Sequence, residues 1–176
     1  LWIDPSSPHN PEVAMTILGL GKSSLPFHMF DLSRDVAEAR RAEKLQNIYH
    51  RGQDLIWDGR EVLAQLLARH GGVHLDPPYR DALGYVLGIL MWGELAAWKI
   101  AGQLSDQLTA LEPKLAATSQ THDEARHFYV LHDYLQHLGY SPAPLDWAGR
   151  ALLDTALSVQ DPCLKIMGMQ LLIESI

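Results

Sequence analysis

Residues 121–127 read Thr-His-Asp-Glu-Ala-Arg-His, and the Glu124-x-x-His127 spacing inside that stretch decides the fold. A carboxylate and an imidazole three positions apart are neighbours on one face of a helix. Upstream, Glu94 is a lone glutamate in an apolar helical stripe, with Leu87, Leu90, Met91, Ala97, Trp98 and Ala101 on its face. Downstream, Glu174 shares a face with Met167, Gln170 and Leu171.

Glu, Glu-x-x-His, Glu is three quarters of the ligand order of a carboxylate-bridged di-metal site in a four-helix bundle. The missing quarter is a second Glu-x-x-His. A glutamate centred in an apolar stripe costs several kcal/mol unless it is neutralised, paired or metal-bound. Each residue also has a plainer reading. Glu94 could be an N-cap, one half of a buried Glu–Arg pair, or part of a stripe turned to the surface. His127 alone could be a satisfied core histidine. Three core glutamates, one with a histidine beside it, favour ligation.

The residue types suit that chemistry. Carboxylates are hard oxygen donors that bridge cations, and imidazole suits iron. Two such ions need about four carboxylates to balance their charge. Asp123 and Arg126 flank the ligands within the same turn and are the candidates for fixing the histidine tautomer. In the preceding segment His50, Asp54 and Asp58 recur at i,i+4 spacing and Glu61 follows; they are an alternative fourth ligand contributor, but a solvated polar face is the favoured reading. His70, His74, His132 and His137 are read as surface histidines, and Met91, Trp92 and Trp98 as core filling.

A chain of 176 residues can bury a core. Its net charge of −7 argues against nucleic acid or an anionic membrane as the main partner. Cys163 is the only cysteine, so no internal disulfide forms and a reducing, cytoplasmic compartment is expected. Gly88, Gly93 and Glu94 interrupt the longest apolar run, so no membrane span is expected. The chain begins at Leu1 and ends at Ile176 inside an apolar pattern, and it reads as part of a longer polypeptide.

Residues 1–30, with Pro5, Pro8, Pro11 and Pro26, read as an irregular apolar arm, and 31–176 as the helical domain. One long helix is expected over 33–69, opened by a capping box of Asp35 and Glu38 and weakened by Gly52 and Gly59, which leave room for a kink or break. Asp76 with Pro77-Pro78 opens the next, to about Ala110. Pro113 opens a third that stops at Gly139. A shorter helix spans roughly Asp146 to Ser158, and Asp161-Pro162 opens a last one over 163–176. No stretch shows sustained two-residue alternation, so the class is all-α.

Asp-Glu-Ala-Arg-His at 123–127 resembles the Asp-Glu-x-Arg-His motif of hydroxylase subunits in bacterial multicomponent monooxygenases. It is also similar to the Glu-Ala-Arg-His of ribonucleotide reductase small subunits. Both belong to the ferritin-like di-iron carboxylate superfamily. The resemblance covers about residues 79–176. It implies a ferritin-like four-helix bundle, incomplete at its C-terminus and preceded by an extra long helix. It also implies Glu94 and His127 on a first metal, Glu124 as a bridge, Glu174 on a second metal, and Asp123 with Arg126 behind the ligands.

The expected activity is a di-iron oxidoreductase that uses dioxygen to oxidise or hydroxylate a small apolar organic substrate. Manganese–iron and di-manganese are the alternative metal pairs, a reductase is an expected partner, and a homo-oligomer is the expected state. The rivals are a ferroxidase or iron-storage protein, a peroxide scavenger, and a metal-free helical scaffold. The second Glu-x-x-His would come from a longer chain or from a symmetric dimer; without it the residues present hold half a site.

Overall fold

A computed structural model describes residues 43–169. The arm at 1–30, the capping box at Asp35 and Glu38, and Glu174 lie outside the described residues. Among the described residues the chain is all-helical: α1 (Glu43–Asp54), α2 (Gly59–His70), α3 (Pro77–Gln107), α4 (Leu111–Leu138), α5 (Trp147–Ser158) and α6 (Pro162–Ile166). A π-helical turn at 167–169 follows α6.

The segment expected as one long helix with room for a kink or break at its glycines is two helices, where it is described. The break falls at residues 55–58, because the Asp58 side chain accepts the N–H groups of Arg60 and Glu61 (2.9 and 3.4 Å) and so starts a new helix. Gly52 lies inside α1, and a Cβ there would meet the Ser119 Oγ of α4 at 2.1 Å. This glycine sets how closely α1 approaches α4; it does not end the helix.

The other boundaries follow their caps. Asp146 and Asp161 each accept two N–H groups at the starts of α5 and α6. Asp76 precedes α3 but its side chain accepts no N–H group; Pro78 removes one of the two that such a cap could take. Helix α4 begins at Leu111, before Pro113, because the first helical N–H groups have no partner within the helix to lose. It closes on Gly139 in the left-handed conformation (φ 67°).

The two long helices α3 and α4, joined by residues 108–110, run antiparallel and form the most extensive packing pair. Two apolar clusters lie along their seam. Met91, Leu135 and Leu138 form one, flanked by Leu87, Phe128 and Leu131. Ala97, Ile100, Leu104 and Ala117 form the other, joined by Ala156 of α5 and by Met169. Each buried Leu, Ile or Met stabilises the fold by about 1.5–3 kcal/mol. Glu94 on α3 and Glu124 on α4 fall between the two clusters, where apolar side chains give way to charge.

Small residues allow the close approaches. A Cβ at Gly84 of α3 would lie 2.3–2.7 Å from ring atoms of Tyr140. The Trp92 Nε1–H donates to the Ala143 carbonyl (3.0 Å), tying α3 to the connection before α5. Met91 is core, as expected, but Trp98 is 37% exposed. By length and composition α3 could cross a membrane, with an 18-residue window of mean hydropathy 1.2, a third of which (33%) is buried. A core helix packed inside a bundle passes the same test, so the apolar window does not overturn the expectation of no such span.

Candidate metal centre

Glu94, Glu124 and His127 meet across the α3–α4 seam, each offering one ligand atom within 4.8 Å of the others. The His127 Nδ1–H donates to Glu124 Oε2 at 3.1 Å and lies 3.5 Å from Glu94 Oε2. The first contact is the helical i,i+3 relation already present in the sequence. The second exists only because α3 packs antiparallel on α4. Gln120, one turn before Glu124, donates its Nε2–H to Glu124 Oε1 (3.2 Å).

Side-chain exposure rises from Glu124 (9%) to Glu94 (28%) to His127 (44%). The cluster therefore has a buried floor and an open side. Glu94 is half-buried and faced by His127, not sealed in the core with its charge uncompensated.

Electrostatics tie the three groups together. Hydrogen bonds to Glu124 and Glu94 push the His127 imidazole up to about 10 from 6.5, against an opposing effect of burial. Burial raises the Glu124 carboxyl, but hydrogen bonds with His127, Glu94 and Gln120 outweigh it and leave the group below its ordinary 4.5. The His127 imidazole is thus favoured in its protonated form, beside Glu124 and Glu94.

That proton occupies the place a cation would take. Bonds of about 2.0–2.2 Å from nitrogen and carboxylate oxygen to a cation span donor separations of up to about 4.4 Å. The observed separations need little or no closure to reach that. The donor set of two hard oxygens and one imidazole suits iron or manganese. It supplies three ligands, short of a complete two-metal cage.

Asp123 and Arg126 bond to each other: the Arg126 Nη2–H donates to Asp123 Oδ1 at 2.6 Å. The guanidinium lies over the Trp57 ring (4.7 Å to its centre), in the break between α1 and α2. Its Nε and Nη1 are buried with no hydrogen-bond partner among the described residues. Asp54, Asp58, Glu61 and His50 are exposed, as are His70, His74, His132 and His137.

A groove of about 840 Å³ runs beside the cluster, and Glu124 and His127 form part of its wall. Leu45 and Ile48 of α1, Leu55 of the following break, and Leu104, Leu108 and Ile166 supply its apolar lining. Gln120 and Trp57 were not singled out in the sequence. The i,i+4 spacing of Gln120 to Glu124 was a usable signal, whereas nothing local marks a tryptophan in a helix break.

No protein-family model, curated protein or solved structure matches this chain.

Proposed function

We propose that this chain belongs to a ferritin-like di-iron carboxylate oxidoreductase that uses dioxygen to oxidise or hydroxylate a small apolar organic substrate. The observation that carries the reading is the convergence of two carboxylates and one imidazole from two helices on a shared point. Glu94, Glu124 and His127 would hold iron or manganese, and Glu174 remains the candidate third carboxylate. The bound metals would supply the redox chemistry with dioxygen.

The chain's own residues would perform the supporting tasks. Gln120 orients Glu124 through its Nε2–H. His127 would have to give up its Nδ1 proton to serve as a ligand. The apolar walls of the adjoining groove favour a hydrocarbon-like substrate over water. A reductase, a homo-oligomeric state and a cytoplasmic location belong to the same proposal.

A second reading has its own support. The imidazolium between two carboxylates is a self-consistent arrangement without metal, as a scaffold subunit would require. Elemental analysis after anaerobic loading with Fe(II) or Mn(II) separates the two. The metal reading expects bound metal that is lost in Glu124→Ala and His127→Ala. No metal above the level of those variants would sink it and leave the scaffold.

A further inference from the structure

Roughly 150° around α3 from Glu94, a second cavity of about 420 Å³ opens between α3, α5 and the connection joining α4 to α5. Its volume falls in the range of small-molecule sites. Trp92, Leu95, Pro142, Pro144, Leu153 and Leu157 form apolar walls. Several of these are held in place before any ligand arrives. The Trp92 ring is fixed by its bond to the Ala143 carbonyl. Two walls are prolines, and Leu145 is packed so tightly on Gly149 that a Cβ there would lie 3.1–3.3 Å from it.

Three charged side chains line the same cavity: Lys99, Arg150 and Asp154. Arg150 Nε lies 3.4 Å from Asp154 Oδ2. Lys99 is exposed and makes no ion pair among the described residues. Among the described residues, two cations against one carboxylate leave this mouth with one positive charge, on a chain whose net charge is −7. An apolar chamber with a single excess positive charge complements a single negative charge on an apolar body.

We propose that this cavity binds a small apolar monocarboxylic acid, its hydrocarbon part against Trp92 and Leu153 and its carboxylate at Lys99 and Arg150. The site shares no lining residue with the metal cluster, so it stands or falls independently of the function proposed above.

The test is titration calorimetry of the full chain with decanoate, kept below its micelle concentration, and with decanol as the neutral counterpart. Decanoate is expected to saturate at one per chain and to bind more tightly than decanol. Ion pairs at an exposed mouth are weak, so the double variant Lys99→Gln/Arg150→Gln should weaken decanoate about three- to tenfold and leave decanol unchanged. Leu153→Trp should abolish both by filling the chamber. If that variant loses its helical circular dichroism, Leu153→Phe replaces it, with a partial loss expected. Equal binding of acid and alcohol, an unchanged double variant, or no saturable decanoate binding would each overturn the proposal.

Discussion

Glu94 Oε2 lies 3.5 Å from His127 Nδ1 across the α3–α4 seam, and that same nitrogen is bonded to Glu124 within its own helix. One imidazole nitrogen thus serves two carboxylates carried by different helices. A proton there can be exchanged for a cation, and the consequences can be measured.

Metal affinity should rise with pH. Ligation requires neutral His127, whose proton is held up to about 10 in the metal-free chain. Mn(II) titrations are expected to show tightening affinity from the ordinary imidazole value of 6.5 toward about 10. In His127→Gln the affinity should be weaker and nearly independent of pH over that window. A pH-independent affinity in the unaltered chain would contradict the assignment of His127.

Without metal, stability should follow the opposite course. The folded imidazole binds its proton more tightly than the unfolded one, so His127 contributes its full stabilisation below 6.5 and loses it as pH rises through about 10. Glu124 is shifted downward, so its contribution is present above 4.5 and is lost on acidification through its folded value. Urea unfolding of metal-free protein is expected to show greatest stability between these limits. In His127→Ala the alkaline decline should shrink. Because the ring is 44% exposed, solvent screening limits the effect to about 0.2–1 kcal/mol.

Gly84→Ala should destabilise the chain, although alanine is ordinarily the better helix residue. Its Cβ would fall 2.3–2.7 Å from the Tyr140 ring. The displacement should cost about 1–3 kcal/mol. With Tyr140→Ala already in place, the same substitution should cost much less. Thermal unfolding of the two single variants and the double variant reads this directly, and additive losses would show that the contact does not matter.

Lys165→Met should leave stability unchanged or raise it at neutral pH. Lys165 is 1% exposed; its ammonium donates to Gln103 Oε1 and the Leu157 carbonyl, and burial lowers its pKa. A lowered base costs stability wherever it stays charged, and that cost fades as pH rises toward 10.5. The gain from methionine, up to about 1 kcal/mol, should therefore shrink at high pH. A clear loss in denaturant melts would show that the two hydrogen bonds outweigh desolvation.

Much of the helical order was legible because its signals are local. Asp146, Asp161 and Gly139 cap helix ends through bonds that reach only two to four residues. The break at 55–58 was legible in part: Gly52 and Gly59 signalled one, but the Asp58 side chain starts the new helix. Nor did apolar spacing reveal that the Glu94 stripe runs along the edge of the seam, with Leu90 51% exposed while Met91 is buried at 4%. A helical stripe gives a face, but only its partner decides how much of that face is covered.

The Glu124-x-x-His127 pairing is set by the sequence alone, because helical geometry places residues three apart side by side. So is the all-α class, because the caps, prolines and 3.6-residue spacing all act locally. Bringing Glu94 to His127, leaving the cluster in the gap between two apolar cores, and turning Arg126 onto Trp57 were decided by tertiary structure. These contacts join residues far apart in the chain, and they form only when burial of Met91, Ile100, Leu104 and Leu135 sets the register of α3 on α4.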